Sequence, residues 1–323
     1  MKTLVISEIG VNHDGSFKKL KKLVFYSKKI GADIAKLQIY NTNELATEKT
    51  KVANYQKKIG ENQFKILKRY ELSINSIKKI ITYCKKIRIK LISTCFDIGS
   101  FKKYNYLSKS NLYKISSGDL SNLPLIFEIA KNKKKIILST GMSTRKDIDL
   151  ALKTIIFGFK KGKQFPNISK IKKIKLNKNN LNFIKNKVSI LHCVSSYPVK
   201  LNELNLNYIS TLKKKYKVQV GLSDHCKSLI SGSVAVSLGA KIIEKHITLN
   251  NKSNGPDHSS SLNVSEFKKY IENIRNTEVM LGNNLKKISR DEKNNSKVVM
   301  KSVYARNYIK KGEIFSLKNL AIK

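Results

Sequence analysis

Short apolar runs recur along the chain, each followed by a stretch with helical periodicity. The runs are Leu4 to Ile9, Ile34 to Tyr40, Lys90 to Phe96, Leu112 to Ser117, Lys135 to Thr140, Val188 to Val194, Val218 to Ser223 and Lys241 to Leu249, eight in all. Between them lie amphipathic segments such as Ser16 to Ile30, Ser73 to Ile87, Thr144 to Phe159 and Leu229 to Leu238. Runs of strand length alternating with helices predict βα units and a parallel sheet. Eight such units in about 280 residues predict an α/β protein with a closed (β/α)8, or TIM, barrel. No Gly-rich dinucleotide fingerprint follows the first run, where a Rossmann fold would carry one.

Two stretches break the rhythm. Residues 160–187, rich in Lys and Asn, intervene between the fifth unit and the sixth strand and read as an inserted surface loop or short helix, not a ninth unit. Residues 283–297 are polar and charged and read as a linker from a barrel domain over 1–282. Beyond it lies 298–323, where Lys301 to Ile309 alternates weakly and Lys310-Lys311-Gly312-Glu313 makes a turn, the opening hairpin of a small β module too short to bury a core of its own.

In a TIM barrel the chemistry collects at the C-terminal ends of the strands, where the βα loops converge. Polar residues gather at those ends here. Glu8 leads into Asn12-His13-Asp14-Gly15, and Lys36 and Gln38 share a face of the second strand at period two. Lys114, Ser116 and Ser117 precede Gly118-Asp119, and Ser139 precedes Thr140-Gly141-Met142. His192 is followed by Ser195-Ser196-Tyr197-Pro198, and Ser223 by Asp224-His225. Glu244 and His246 again share a face, and Asp257-His258 lie in the loop beyond. Burying such groups costs several kcal/mol unless they are paired or liganded, so the pattern predicts a site.

Lys36 and Lys114 supply charge suited to phosphate or carboxylate, and Ser117, Ser195 and Ser223 supply neutral donors. His225 and His246 come from adjacent strands and can meet over the mouth. With water and substrate oxygens, two imidazoles suit Mn2+ or a similar divalent metal better than a closed zinc site. His13 and His192 are weaker candidates, with a structural role as reasonable as a direct one.

Composition changes this picture little. The 323 residues carry a net charge of +43, which raises the question of nucleic acid. But 59 of the 65 basic residues are Lys and six are Arg, and they lie along the whole chain among many Asn and Ile. Sequence-reading contacts favour the forked guanidinium, whereas Lys, Asn and Ile share A/T-rich codons. No specific nucleic acid partner is therefore expected, although the field would draw in an anionic substrate. No run approaches the roughly 18 apolar residues of a membrane span, and the N-terminus lacks a secretory pattern. Cys84, Cys95, Cys193 and Cys226 form no CxxC pair. Reduced thiols and a cytoplasmic location are expected.

Eight segments, in order, resemble the N-acetylneuraminate (sialic acid) synthase family. They are Glu8 to Gly15 (EIGVNHDG), Gly31 to Gln38 (GADIAKLQ), Lys114 to Asp119 (KISSGD), Leu138 to Met142 (LSTGM), Leu191 to Pro198 (LHCVSSYP), Gly221 to His225 (GLSDH), Gly239 to His246 (GAKIIEKH) and Gly255 to His258 (GPDH). The resemblance implies a TIM barrel followed by an antifreeze-like (SAF) domain, of which 298–323 would be the start. It implies condensation of phosphoenolpyruvate with an N-acetylated amino sugar, N-acetylmannosamine-like, and water, giving a nine-carbon sugar acid and phosphate. Carried over by position, Lys36, Lys114, Ser117, Ser139, Ser195 and Ser223 would hold phosphoenolpyruvate, and Glu8, Gln38, Tyr197 and Asp257 the open-chain sugar. His225 and His246 would ligate Mn2+, Mg2+ or Co2+. Glu8, Asp119 and Lys114 would serve the chemistry, one of the two carboxylates deprotonating the water. Asp119 stands where the family often has Glu, and Ser195 where some members have Asn.

Family members form a homodimer in which the SAF domain lends an arginine, from an Arg-Pro-Gly segment, to the partner's sugar site. The sequence reaches Lys323 ahead of that segment, so a truncated SAF unit is expected, and with it a catalytically impaired relative as one alternative. The same chemistry on a legionaminic or pseudaminic acid precursor is another. A metal-dependent pyruvate aldolase, or an idle barrel that binds sugar or nucleic acid, are rivals of other kinds.

Overall fold

The computed structural model describes residues 2–51, 62–162, 164 and 166–323. The chain divides into two compact units, Met1–Leu281 and Gly282–Lys323. In the first, eight parallel strands run in order: β1 (Leu4–Gly10), β2 (Ile34–Ile39), β3 (Lys90–Cys95), β4 (Leu112–Ile115), β5 (Lys135–Ser139), β6 (Val188–Cys193), β7 (Gln219–Asp224) and β8 (Ile242–Thr248). Each pairs with the next, and β1 pairs in parallel with β8 in the register Glu8↔His246, which closes the barrel. The predicted (β/α)8 fold is therefore observed, with strand limits within about two residues of the apolar runs.

Helices wrap the outside, and local capping sets where they begin. Helix α1 (Phe17–Lys29) starts at Ser16, whose side chain accepts from Lys19 N. Two short helices follow β2, α2 (Thr42–Leu45) and α3 (Gln63–Tyr70), and then α4 (Ile74–Lys86) is capped by Ser73. After β3 and β4 come α5 (Ile98–Ser108) and α6 (Leu123–Ala130). Helix α7 (Arg145–Lys161) opens with a reciprocal capping box between Thr144 and Asp147. The stretch read as an insertion holds two short helices, α8 (Ile168–Lys172) and α9 (Lys178–Ile184), seated through buried Ile171, Leu181 and Ile184. The barrel is completed by α10 (Tyr208–Tyr216), α11 (Ser231–Ser237), a two-residue strand β9 (Leu262–Asn263) beside β8, and α12 (Val264–Leu281).

Strand alternation sorts the side chains into two cores. Val5, Ala35, Leu138 and Ile190 point outward and pack with Leu20, Ile80, Leu152 and Phe267 of the helices. Ile6, Ile34, Ile92, Leu112, Ile137, Leu191 and Ile242 point inward and plug the barrel. Full burial of each such side chain stabilises by about 1.5–3 kcal/mol.

In the second unit, the stretch read as a linker at 283–297 instead carries most of helix α13 (Arg290–Val299). It begins with a capping box in which Ser289 accepts from Glu292 N and Glu292 reaches back to Ser289 N. Strands β10 (Val303–Ala305) and β11 (Leu320–Ile322) then pair antiparallel, consistent with a small β-rich domain.

Candidate active site

Above the apolar plug, the same inward period places polar groups. Two residues beyond Ile6 comes Glu8, beyond Ile34 come Lys36 and then Gln38, and beyond Leu112 comes Lys114. Ile137 is followed by Ser139, Leu191 by Cys193, and Ile242 by Glu244 and His246. All but Gln38 in this polar ring are buried. A cavity of about 460 Å³ opens above them, lined by Glu8, Lys36, Gln38, Lys114, Ser117, Ser139, Ser195, Tyr197, Ser223, His225, His246 and Asp257. Twelve of the thirteen residues expected from the sequence thus share one space.

Asp119 is the thirteenth. Its buried carboxylate accepts from Ser116 Oγ at 2.5 Å, and Ser116, rather than Asp119, lines the cavity. Burial holds Asp119 above the usual carboxylate range.

Glu244 is the hub of the floor, a role the sequence pattern did not single out although it put Glu244 on the face of His246. Its carboxylate lies 3.7 Å from both Lys36 Nζ and Lys114 Nζ and accepts from Ser223 Oγ at 3.0 Å. Lys36 also pairs with Glu8 at 2.9 Å and donates to Thr94 Oγ1 at 3.1 Å. Lys114 donates to Ser139 Oγ at 2.7 Å. Burial alone would depress Lys36, but Glu244 and Glu8 outweigh it and hold the ammonium above its ordinary value. For Lys114 burial wins, with Lys36 adding repulsion, and its pKa is lowered. Burial also pushes Glu8 up despite Lys36, whereas Lys114 and Lys36 overcome burial and bring Glu244 down. Two ammonium groups and two carboxylates thus share the base of the cavity they line.

Beside the lysines, hydroxyls crowd around Gly141. Its N–H donates to Ser117 Oγ at 2.9 Å, and a Cβ at this position would stand 2.2 Å from Ser195 Oγ and 3.0 Å from Ser117 Oγ. Only glycine leaves the room these groups share. Cys193 Sγ borders the same space, 3.9 Å from His225 Nδ1. Burial opposes its ionisation, but His225, Ser117 and Lys114 bring the thiol down to about 7.

The imidazoles of His225 and His246 meet over the mouth with ring centroids 5.6 Å apart. His225 Nδ1 lies 2.8 Å from the Val194 carbonyl, which fixes the ring and turns Nε2 toward Tyr197 Oη at 3.2 Å. His246 Nδ1 is buried without a hydrogen-bond partner and lies 3.7 Å from Asp257 Oδ2. Burial, reinforced by His225 and Lys36, holds His246 well below its usual value, which favours the neutral ring and the one nitrogen lone pair a ligand uses. Among the described residues no group of three or more His, Cys, Asp or Glu is arranged to hold a metal. Two imidazoles by themselves would hold a divalent cation only with water and substrate oxygens in its other positions.

At the end of β1, Gly10 turns the chain at φ +55°, and a Cβ there would lie 3.2 Å from Gln38 Nε2, 3.3 Å from Asp257 Oδ2 and 3.4 Å from Glu8 Oε1. Gln38 Nε2 donates to Glu8 Oε1 at 3.0 Å. Burial and the nearby Glu8 push Asp257 up to about 6. The outer rim is apolar, built from Val11, Tyr40, Ile66, Leu67, Tyr70 and Phe96. Three of these come from α3, a helix that the apolar pattern did not reveal.

The remaining histidines hold structure. His192 points to the helix side, 2.7 Å from the Leu204 carbonyl and edge-on to Tyr208. His258 lies between Thr248 Oγ1 at 2.7 Å and Asp14 Oδ1 at 2.8 Å, which anchors the loop carrying Asp257. His13 accepts from Gly15 N at 3.1 Å, and burial draws it down to about 4.

Fold and cavity together define a TIM-barrel enzyme whose mouth gathers lysines and hydroxyls with carboxylates and an amide. The chain belongs to the NeuB family, whose model matches residues 23–286. It is 38% identical to the N,N'-diacetyllegionaminic acid synthase of Campylobacter jejuni, over all of this chain and 90% of that protein. It is 32% identical to the pseudaminic acid synthase of the same species, over 99% of this chain and 86% of that one. The crystal structure of an N-acetylneuraminic acid (sialic acid) synthetase from Leptospira borgpetersenii, in complex with citrate, superposes with a TM-score of 0.73 at 26% identity, covering 92% of this chain and 91% of that one. The protein is an enzyme of the N-acetylneuraminate synthase type. Among the described residues no helix is long and apolar enough to cross a membrane.

Proposed function

We propose that the enzyme condenses phosphoenolpyruvate with the open-chain aldehyde of an N-acylated amino sugar, giving a nine-carbon sugar acid and phosphate. What supports this reading is one cavity lined by both sets of groups: Lys36, Lys114, Ser117, Ser139, Ser195 and Ser223 together with Glu8, Gln38, Tyr197 and Asp257. A phosphate ester with a carboxylate needs more than one cation and several neutral donors, which the lysines and serines offer. A polyhydroxylated neutral sugar needs acceptors and an amide, which Glu8, Asp257 and Gln38 offer.

In this reading Lys36 and Lys114 hold the anionic ends of phosphoenolpyruvate so that its carbon 3 faces the aldehyde carbon. Carbon–carbon bond formation leaves cationic character at carbon 2, where water adds. Glu8, the buried carboxylate that lines the cavity, takes the water's proton. The tetrahedral intermediate then expels phosphate by carbon–oxygen cleavage, and the lysines already in place stabilise the departing charge. His225 and His246 would hold a divalent cation of the Mn2+, Mg2+ or Co2+ kind, which when bound supplies a Lewis acid for the aldehyde oxygen. Among acceptors, a legionaminic-type precursor is favoured by the 38% identity to a legionaminic acid synthase, against 32% to a pseudaminic acid synthase. A homodimer belongs to the same reading and is checked by the molar mass in solution.

The test is to supply phosphoenolpyruvate and Mn2+ with the amino sugar precursor of sialic, legionaminic or pseudaminic acid, and to follow phosphate. Sugar-dependent release is expected, fastest with the legionaminic precursor. No release with any of the three sinks the reading.

A further inference from the structure

On the outer face of the barrel, directly behind the mouth, lies a buried polar cluster with no part in the reaction described above. Along β7 the inward residue Ser223 is followed by outward Asp224 and then His225. Along β8 inward Glu244 is followed by outward Lys245 and then His246. Asp224 and Lys245 are paired in register across the two strands. Their Oδ2 and Nζ are 2.9 Å apart and both side chains are fully buried, at 0% exposure. The same Oδ2 accepts from Tyr270 Oη of α12 at 2.7 Å and from Ser231 Oγ of α11 at 2.6 Å. Asp224 Oδ1 accepts from the backbone N–H of Cys226 at 2.9 Å, and Lys245 Nζ donates to the Cys226 carbonyl. The pair thus holds both backbone polar groups of the residue that follows His225, while the His225 carbonyl accepts from Val199 N at 3.2 Å. Lys245 Nζ also lies 5.1 Å over the ring of Tyr270.

Stability alone is a poor reason for this arrangement. Desolvating two charges offsets much of what their attraction returns, and apolar residues of similar volume often do as well or better. What an apolar pair would lack is direction: two strands fastened at fixed register and a turn held by both its N–H and its C=O. We propose that Asp224 and Lys245, with Tyr270 and Ser231 behind them, are positioning residues that set the separation and orientation of His225 and His246. The proposal rests on the reading of those two imidazoles as the cation site. It assigns the outer-face residues a function in that site although none of them reaches the cavity.

The test uses the full chain, with Mn2+ alone as probe, free Mn2+ followed by electron paramagnetic resonance, and thermal unfolding measured in parallel without metal. Tyr270→Phe keeps the ring and removes one donor to Asp224. Lys245→Met and Asp224→Asn each remove one charge, and the double variant Asp224→Asn/Lys245→Met leaves no charge unpaired. Mn2+ affinity is expected to fall by about tenfold or more in each folded variant, in line with partners that orient metal ligands. In the double variant the unfolding midpoint recovers toward wild type while the Mn2+ affinity stays low. Affinity that recovers together with the midpoint, or folded variants within twofold of wild type, overturn the proposal. If the wild-type protein binds no Mn2+, the cation reading of the site fails by itself. The positioning is then read from the imidazole 15N shifts of His225 and His246, which should move in Tyr270→Phe; unchanged shifts overturn it.

Discussion

Lys114 shows how much the site demands of single residues. Its side chain is 2% exposed, and its ammonium bonds Ser139 Oγ at 2.7 Å and faces Glu244 at 3.7 Å, so its desolvation is recovered only in part within the protein. An anion seated between it and Lys36 would recover more. Lys114→Met should therefore lower kcat/KM for phosphoenolpyruvate by about a hundredfold or more, the loss of a preorganised charge at a departing group. Steady-state kinetics check this beside an unchanged circular dichroism spectrum, and a loss below tenfold would remove Lys114 from its role. Gly141 makes the complementary point about space. A methyl group there would meet Ser195 Oγ at 2.2 Å, so Gly141→Ala should weaken phosphoenolpyruvate binding, measured by calorimetry, far more than it lowers the unfolding midpoint. Equal binding would show that the hydroxyl cluster is not where the ester sits.

At the scale of elements, the barrel was legible because a parallel sheet writes two signals into the sequence: apolar runs of strand length and amphipathic segments between them. The site was legible for a related reason. Lys36, Lys114, Glu244 and His246 interrupt apolar runs at period two, and that interruption costs too much free energy to lack a purpose. What stayed hidden depends on distance across strands or on weak local signals. Periodicity places Glu244 on a face but not between Lys36 and Lys114. The Asp224–Lys245 pair needs the β7–β8 register before it becomes visible. Helix α13 was missed although Ser289-Arg-Asp-Glu292 spells a capping box, because its polar composition resembled that of a linker. Asp119, which stands where the family often has Glu, has its carboxylate turned to Ser116, and Ser116 lines the cavity in its place. The caps offer a control for the functional variants: Thr144→Ala, which breaks the box on α7, should cost about 1 kcal/mol in denaturant unfolding and leave kcat within twofold. A larger effect on kcat would mean that α7 reaches into the chemistry.

For the whole molecule, a net charge of +43 is long-range attraction for any anion. Phosphoenolpyruvate feels it and a neutral amino sugar does not. Raising salt from about 50 to 500 mM, across the range in which the screening length falls below 10 Å, should reduce kcat/KM for phosphoenolpyruvate severalfold while the sugar's KM stays nearly constant. A parallel change in both would argue that salt acts on the fold. The central claim is that one cavity joins the two substrates and expels phosphate by breaking its bond to carbon 2. It is tested most directly with phosphoenolpyruvate carrying 18O in the bridging oxygen, incubated with the amino sugar and Mn2+, and mass spectrometry of both products. The account predicts that the label leaves with phosphate, only when the sugar is present, and that an unlabelled nine-carbon acid appears in equal amount. Label retained in the organic product, or phosphate released without sugar, would contradict it.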